Sequence, residues 1–455
     1  MLLKFAVENF KSFNEATALD LICSTKIRSL KSHVLLTSDL RVLRMAAMYG
    51  ANAAGKSNFL EAIKFARYCV VNNRVPKGIR QYFCKVATKN EQHASTFEFL
   101  FETQGRYFDY GFSLIFSRRE VRREWLIEIE DPRSPQKSAR TVFEWDSKRE
   151  NLEYDLVGID DSDRGRLIVY ANDFAGGDSP LFLADMGRGR RIAAESSLNA
   201  YRLAFDFFAR DMVVIDAGVP RSAPPELYKD DALELMSQIF KTFDTGIASI
   251  ERRETTLDDL RDSMDDIDGK IIERIVSEAE AAHKKGTMVA RSIRHFFLLE
   301  FDEDCDTRFF ELRFKHKGSN ADFSFSEESD GTRRVFDFLD LLLTRNSEAI
   351  FIVDEIDRSL HPMLTKHLIE LFTKMHADDT AQLIFTTHED ALMQDDLLRR
   401  DEIWFIERDS SSKSRLYSLD QFKERSDATI DRSYLKGRYG GVPVIQPFFD
   451  FELEG

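Results

Sequence analysis

Hydrophobic and polar residues alternate through the first eight positions of the chain. Leu3, Phe5 and Val7 fall on one side of an extended segment, while Lys4 and Glu8 fall on the other. A period of two predicts a β-strand with one buried face.

A strand, a glycine-containing loop and a helix are predicted between residues 44 and 71. Residues 44–49 (RMAAMY) form a mostly apolar run, which is typical of a buried strand. After the loop, Phe59, Ile63 and Ala66 recur at helical spacing within residues 58–71. The order is therefore strand, loop, helix.

Further patterns divide the rest of the chain. Short alternating runs within residues 95–130 predict an antiparallel sheet beside the core. Residues 221–294 are polar and rich in charge, which predicts a helical insertion that projects from the core; a solvated helix pair is the simpler alternative. Strands return after residue 294, and residues 333–344 predict a helix. Apolar runs at 349–353 (AIFIV) and 383–386 (LIFT) predict buried parallel strands.

These patterns predict an α/β fold with three parts. Residues 1–220 form the first half of the core, with the loop and an antiparallel β-lobe, residues 221–294 form the insertion, and residues 295–455 form the second half. Two halves of one core explain this order better than two independent domains.

Composition limits the class of protein. The chain has 455 residues, of which 43% are hydrophobic and 31% charged, so it should form a large globular core. A formal net charge of -15 opposes general nucleic-acid coating, so any contact with DNA needs a local basic patch. The four cysteines have no paired spacing, which fits a reducing cytoplasm. The charged start and the lack of a long apolar run predict a protein that neither is exported nor spans a membrane.

The loop between the predicted strand and helix has the pattern of a phosphate-binding loop. Gly50 to Ser57 (GANAAGKS) matches G-x-x-x-x-G-K-[ST] at every fixed position. The glycines let backbone N–H groups turn toward phosphates, Lys56 reaches the β- and γ-phosphates, and Ser57 ligates Mg²⁺. The predicted ATP-binding residues are Gly50, Asn52, Ala53, Ala54, Gly55, Lys56, Ser57 and Asn58.

Two carboxylates end the buried strand at 349–353. Adjacent acids after such a strand need a cation or a reaction to justify them. We assign Asp354 as the carboxylate that binds Mg²⁺ through water. We assign Glu355 as the group that orients or deprotonates the attacking water. His388 ends the next apolar strand and is a candidate for contacting the γ-phosphate and the water; a structural histidine is the alternative.

A serine- and glycine-containing turn precedes the helix at 333–344. Ser329, Gly331 and Thr332 would offer a hydroxyl and backbone N–H groups at a helix N-terminus, which is an anion site. A simple helix cap is the alternative. One phosphate loop needs no second anion-binding helix end unless that end serves the nucleotide of another molecule.

Taken together, ENFKSF, GANAAGKS, SDGT, VDE, SLHP and TTHE resemble the ABC-type ATPases of the SMC and RecF kind. The segments STFEFLFETQGRYFDYGFSL, LFLAD, FDTGI and YLKGRYGGVP resemble AAA family ATPases of bacterial anti-phage and abortive-infection systems. RloA- or AbiL-like ATPases and the ATPase subunit of PARIS-type systems are the relatives that these segments indicate.

That resemblance implies the ABC ATPase head fold and a head-to-tail dimer that holds ATP and Mg²⁺. Ser329 and Gly331 would contact the γ-phosphate in trans, and Ser359 and Leu360 would form a loop that crosses the interface. Lys11 and Ser12 would lie near the nucleotide. The glutamine that usually couples such an active site to its substrate is not assigned, and Gln81 and Gln92 are the two candidates.

The sequence leaves three classes of function open. The first is a cytoplasmic ATPase that forms homodimers or higher oligomers and regulates a separate effector protein, a nuclease toxin, in anti-phage defence. The second is a RecF-like repair ATPase controlled by DNA. The third is a nucleotide-gated scaffold, which Glu355 argues against. Two arginine clusters are candidates for contacting DNA or a phage component, although such clusters are more often solvated or paired. They comprise Arg118, Arg119, Arg122 and Arg123, and Arg188, Arg190 and Arg191.

Overall fold

The computed structural model describes most of the chain. The described residues are 1–132, 138–216, 218–221, 224–263, 274, 277, 286–292, 294–301, 307–422 and 430–441, with the side chains of 230, 231 and 261–263 excepted. They form two compact units: unit 1 comprises residues 1–214, 346–354 and 379–455, and unit 2 comprises residues 215–345 and 355–378. We describe each unit by itself.

Unit 1 contains two large sheets and the helices between and around them. Its strands are β1 (Leu2–Glu8), β2 (Thr17–Asp20), β3 (Val34–Leu36), β4 (Arg41–Leu43), β5 (Met45–Tyr49), β6 (Ser95–Thr103), β7 (Arg106–Ile115), β8 (Glu120–Ile129), β9 (Ala139–Asp146), β10 (Asn151–Tyr154), β11 (Met212–Ile215, whose last residue begins unit 2), β17 (Ile350–Val353), β18 (Gln382–Thr386), β19 (Ile403–Arg408) and β20 (Ser414–Ser418). Its helices are α1 (Lys56–Asn72), α2 (Asp161–Ala175), α3 (Phe182–Gly187), α4 (Asn199–Asp206) and α10 (Ile430–Leu435).

The central sheet of unit 1 has the strand order β11-β17-β18-β5-β19-β20. Strand β5 pairs in parallel with β18 on one side and β19 on the other, and β20 is antiparallel to β19. All residues of β5, β17 and β18 are buried. Their apolar runs are therefore those of strands covered on both faces, as the sequence predicts.

The second sheet is an antiparallel β-lobe of seven strands in the order β10-β9-β8-β7-β6-β1-β2. Phe5 of β1 contacts Phe59 of α1 edge to face, with ring centroids 5.4 Å apart. One continuous hydrophobic cluster includes α1 and residues of both sheets. The predicted α/β class, with a mixed phosphate-loop sheet and an antiparallel β-lobe, is confirmed.

Unit 2 combines a smaller sheet with helices. Its strands are β12 (Ile247–Thr255), β13 (Gly286–Arg291), β14 (Phe296–Phe301), β15 (Thr307–His316) and β16 (Asp322–Ser324). They form the order β12-β15-β14-β13, and β16 pairs with β15. Its helices are α5 (Asp230–Thr242), α6 (Leu257–Ser263), α7 (Asp330–Asp337), α8 (Leu339–Leu343) and α9 (Pro362–Met375).

Two secondary-structure predictions differ from the structure of unit 2. The range 221–294, predicted to be helical, also contains β12 and β13. Charges on β12 are paired across strands: Arg252 donates to Glu300 and Lys315 donates to Glu251. These pairs allow a charge-rich segment to form a strand. Part of the predicted insertion, including residues 264–273 and 278–285, lies outside the described residues.

The single helix predicted at 333–344 is divided into α7 and α8. Phe338, fully buried with φ -95° and ψ 0°, lies between them. Carboxylates on both sides of this break are paired, Asp337 with Arg291 at 2.8 Å and Asp340 with Arg221 at 2.6 Å. The ion pairs of Asp337 and Asp340 and the buried ring of Phe338 therefore fix the backbone conformation at the point where α7 ends.

Other expectations concern cysteines and membranes. Cys23, Cys69 and Cys84 are buried thiols, and Cys305 lies outside the described residues. Within the described ranges, the chain has no helix with the length and apolar character needed to span a bilayer.

Candidate functional site

The phosphate-loop sequence connects β5 to α1 in unit 1. Gly55 precedes the helix with φ 117°, and no side chain caps the first turn. A Cβ at Gly55 would lie 2.5 Å from Ser414 Oγ and 2.8 Å from Ser12 Oγ, and one at Gly50 would collide with the carbonyl oxygen of Ile406. Both positions therefore require glycine, and a first turn of α1 without a side-chain cap suits an anion.

The remaining loop residues differ in exposure. Asn52, Ala53 and Ser57 are exposed, Asn58 is half-buried, and Ala54 is buried. Ala53 has φ 64°, a left-handed conformation that costs free energy for a residue with a Cβ. This strain lies in the middle of the loop, where a phosphate ligand would compensate it.

The side chain of Lys56, at the end of the phosphate loop, turns back into the loop. Its Nζ atom donates a hydrogen bond of 2.6 Å to the carbonyl oxygen of Gly50, and His388 Nδ1 is 3.5 Å from the same nitrogen. Only 6% of Lys56 is exposed, whereas His388 is exposed. The structure therefore brings together the lysine and the strand-end histidine that the sequence singled out.

A hydroxyl and a carboxylate meet beside the loop. Ser57 Oγ is 3.3 Å from Asp354 Oδ1, to which Thr386 Oγ1 also donates a hydrogen bond of 2.7 Å. Hard oxygen donors of this kind fit Mg²⁺, which commonly takes one or two protein ligands and completes its shell with phosphate and water oxygens. Among the described residues, no group of three or more His, Cys, Asp or Glu side chains could enclose a metal ion. The donor set thus suits a Mg²⁺ ion that arrives with a nucleotide.

A second set of side chains lies along the start of α1. Asn58 donates to Ser12 Oγ at 3.0 Å, and Lys11 forms an ion pair with Glu61. Ser12 and Asn58 belong to a cleft of about 630 Å³. Gln81 also lines this cleft, whereas Gln92 accepts a hydrogen bond from Arg118. Of the two candidate coupling glutamines, Gln81 is therefore the one beside the phosphate loop.

Tyr82 is the aromatic partner of Lys11 in this cleft. The Lys11 Nζ atom lies 4.7 Å from the centre of the Tyr82 ring. Burial raises the pKa of the Tyr82 phenol, and the neighbouring Glu61 carboxylate raises it further. Tyr82 is therefore a neutral, hydrogen-bonding aromatic side chain at physiological pH.

Ser414 is a site residue that the sequence did not indicate. It begins β20, its N–H donates to the carbonyl oxygen of Ser12 at 2.8 Å, and its Oγ donates to that of Ala54 at 2.5 Å. It thus connects the phosphate loop to the segment after β1. No motif surrounds Ser414, so only the fold could identify it.

Glu355 begins a segment of unit 2, because the boundary between the units falls between Asp354 and Glu355. Its φ of 50° is left-handed, and its carbonyl oxygen accepts a hydrogen bond of 3.2 Å from Arg334 Nη2. Burial lowers the pKa of the Arg334 guanidinium, and the nearby Asp337 carboxylate offsets only part of this decrease. A buried guanidinium therefore holds the backbone turn of the predicted catalytic glutamate.

The turn at 329–332 forms the N-terminus of α7 in unit 2. Ser329 is the helix cap, and its Oγ accepts from the Thr332 N–H at 3.1 Å. Ser329 is exposed, whereas Thr332 is buried. The capping role that we considered for this turn is therefore present, and it leaves Ser329 and the half-buried Gly331 at the surface.

The predicted interface loop packs against this turn. A Cβ at Gly331 would lie 3.0 Å from the carbonyl oxygen of Ser359. Ser359 is exposed with φ 61°, and the Leu360 N–H donates to the carbonyl oxygen of Asp357 at 3.1 Å. Two segments that the sequence connects only by analogy thus form one continuous surface.

The arginine clusters are largely paired within the chain. Arg118 donates to Gln92, Arg119 to a backbone carbonyl group, Arg122 to Glu120 and Arg123 to Glu144. In the second cluster, Arg188 donates to the carbonyl oxygen of Asn72, and Arg190 pairs with Asp185 at 2.5 Å. These contacts favour the structural alternative for both clusters.

Comparisons with known proteins complete this description. A family described as "AAA domain, putative AbiEii toxin, Type IV TA system" matches residues 45–394. No curated protein matches the chain. Among solved structures, the chain is similar to an SMC head bound to the C-winged helix domain of ScpA, with 14% identity, 95% of this chain and 99% of that chain covered, and a TM-score of 0.42. It is also similar to the SMC head domain from Thermotoga maritima, with 12% identity, 92% and 98% covered, and a TM-score of 0.36.

The family match extends over more than half of the sequence and contains both the phosphate loop and the strand that ends at Asp354. The chain therefore belongs to the family described as "AAA domain, putative AbiEii toxin, Type IV TA system".

Proposed function

We propose that this protein is an ATPase of the ABC type, which binds ATP with Mg²⁺ and hydrolyses it between two copies of the chain. The observation that carries the proposal is the arrangement at the loop: Lys56 lies within it, and Ser57 Oγ is 3.3 Å from Asp354 Oδ1. A lysine and a hydroxyl–carboxylate pair at a helix N-terminus without a side-chain cap suit a triphosphate and its metal ion.

Each residue has a stated part in this reaction. The loop N–H groups and Lys56 would hold the β- and γ-phosphates. Ser57, and Asp354 through water, would hold Mg²⁺, which would neutralise phosphate charge. Glu355 takes a proton from the attacking water, whose oxygen bonds to the γ-phosphorus as the bond to the β–γ bridging oxygen breaks. ADP and phosphate leave. His388 contacts the γ-phosphate.

The second copy would supply the surface made by Ser329, Gly331, Ser359 and Leu360. Support for this part comes from unit 2, where the turn and the loop form one surface and Ser359 is exposed. In a head-to-tail pair, this surface of one copy would meet the nucleotide held by the phosphate loop of the other. We therefore propose a head-to-tail homodimer, or a higher oligomer that contains this pair.

We further propose that the ATP-bound pair regulates a separate effector, a nuclease toxin, in a cytoplasmic anti-phage system. The family description, which names a putative AbiEii toxin and a type IV TA system, supports an association with a toxin system. The separate effector and the anti-phage role rest on the resemblance of the sequence motifs. A closer relationship to RloA- or AbiL-like ATPases, or to PARIS-type subunits, stays a prediction. A RecF-like repair ATPase controlled by DNA is the second candidate, which the paired arginine clusters disfavour.

The test is the mass of Glu355→Gln protein with and without ATP and Mg²⁺, and with and without duplex DNA. Removing the proton acceptor should preserve ATP binding and accumulate the closed dimer. A dimer that needs ATP but not DNA supports the regulatory ATPase. A dimer that forms only on DNA moves the repair function ahead, and hydrolysis at the unmutated rate would show that Glu355 is not the base.

A further inference from the structure

A cleft of about 230 Å³ lies within unit 2 beside the turn at residues 329–332, which we call the signature turn. Its walls contain four arginines, Arg291, Arg333, Arg334 and Arg358, and two aspartates, Asp330 and Asp337. Positive side chains thus outnumber negative ones in the cleft, which gives it the electrostatic character of an anion site.

Three of these arginines are held in place by contacts inside unit 2. Arg291 pairs with Asp337 at 2.8 Å, and Arg333 pairs with Asp330 at 2.5 Å. Arg334 is 5% exposed and donates to a backbone carbonyl group at 3.2 Å. Their guanidinium groups therefore line the cleft and stabilise the structure around it.

Arg358 differs from the other three. Half of its side chain is exposed, and among the described residues its ion-pair partner is Glu355, with Nη1 and Oε2 3.8 Å apart. Its guanidinium lies across Gly218, where a Cβ would be 3.0 Å from Nη1. A long, exposed ion pair contributes little free energy, so Arg358 can turn toward a stronger anion at low cost.

The position of Arg358 decides which anion it meets. Its chain neighbour Ser359 is exposed with φ 61°, and the Ser359 carbonyl oxygen packs against Gly331 of the signature turn. Arg358 is therefore at the edge of the surface that, in the proposed function, faces the nucleotide of another copy.

We propose that Arg358 acts in trans as a catalytic arginine, which contacts the terminal phosphate of ATP bound to the phosphate loop of a second copy. The inference rests on the proposed dimer. In the isolated chain, Arg358 pairs with Glu355. On closure, the guanidinium moves to the phosphate of the partner's nucleotide and stabilises the charge that develops on its oxygens.

The first measurement is the ATPase rate of Arg358→Ala and Arg358→Lys. We expect kcat to fall by about 10²-fold or more for Arg358→Ala, since a donor aimed at developing charge has an effect of that size. Arg358→Lys should recover part of the rate. Arg253→Ala, at an exposed arginine of β12, is the matched control and should retain the full rate. Equal rates for Arg358→Ala and this control would overturn the proposal.

Mixing variants separates a trans role from an effect on the same copy's Glu355. In a mixed dimer of Lys56→Ala and Arg358→Ala proteins, the intact phosphate loop of one copy meets the intact Arg358 of the other. A trans role therefore predicts that mixing two inactive proteins restores about a quarter of the unmutated activity, because about half of the dimers are mixed and each has one intact site. Activity that stays absent contradicts the trans role.

A second mixture identifies which proposal has failed. Lys56→Ala is mixed with Gly331→Ala, which alters the signature turn. If this pair complements and the Arg358 pair does not, the shared site stands and the role of Arg358 is overturned. If neither pair complements, the shared site fails, and the role of Arg358 fails with it.

Discussion

Thr386 Oγ1 donates a hydrogen bond of 2.7 Å to the same carboxylate oxygen of Asp354 that Ser57 approaches. Thr386 is fully buried at the end of β18, beside the strand that ends in Asp354. Parallel pairing of these two strands therefore orients the carboxylate before any metal ion binds.

This contact predicts the effect of Thr386→Val. Because the hydroxyl orients a metal-binding carboxylate, its loss should raise the Mg²⁺ concentration needed for half-maximal ATPase activity by about 10- to 100-fold. The measurement is ATPase rate against Mg²⁺ concentration at saturating ATP. Thr103→Val, at a buried threonine of β6, should leave the curve in place. An unchanged curve for Thr386→Val would mean that Asp354 does not hold the metal ion.

Lys56→Ala should abolish ATP binding. The substitution removes the cation inside the phosphate loop and the 2.6 Å hydrogen bond to Gly50. Charged hydrogen bonds contribute about 1.5–3 kcal/mol each, so losing the two that Lys56 would donate to the β- and γ-phosphates should lower the affinity for ATP by more than about 10²-fold. Isothermal titration with ATP checks this expectation, with exposed Lys148→Ala as the control. Retained affinity would rule out the phosphate-loop assignment.

Gly331→Ala should weaken the ATP-dependent dimer without changing ATP binding by the monomer. The added Cβ would lie 3.0 Å from the carbonyl oxygen of Ser359 and would push the signature turn away from the interface loop. Gly286→Ala is the matched control, because a Cβ there meets nothing within 4 Å. Dimer mass in the Glu355→Gln background distinguishes the two variants. If both variants form the dimer equally well, the surface of the signature turn and the interface loop does not form the dimer contact.

Glu124 makes stability depend on pH. It is fully buried on β8, where it accepts hydrogen bonds from Tyr110 Oη and from the N–H groups of Phe182 and Leu183 at the start of α3. Burial raises the pKa of Glu124 from 4.5 to about 7. Between these values the folded protein binds more protons than the unfolded chain, so the free energy of unfolding decreases as pH rises.

Glu124→Gln should remove that component. Relative to the unmutated protein, the variant should become more stable as pH rises from about 4.5 to 7, by on the order of 3 kcal/mol for the full shift. Urea unfolding at pH 5 and pH 8 measures the difference. Exposed Glu195→Gln should show no such change. A stability difference that is constant with pH would mean that Glu124 is ionised at both values.

The sequence predicted the local parts of the site and missed the contacts that join distant segments. The order β5, loop, α1 and the strands before Asp354 and His388 follow from short runs of residues, and they are confirmed. Ser414 reaches Ala54 from β20, and nothing near it in the sequence marks it. The strands in 221–294 were missed because their charges are neutralised by partners on other strands.

The neighbours of β5 have a consequence for synthesis of the protein. Strand β5 ends at Tyr49, but its two partners, β18 and β19, begin at Gln382 and Ile403. A ribosome therefore completes more than 300 further residues before the strand that carries the phosphate loop can pair on either side. Products that terminate before β18 lack both neighbours of β5, and the nascent chain must keep this apolar strand from aggregating until β18 and β19 have been synthesised.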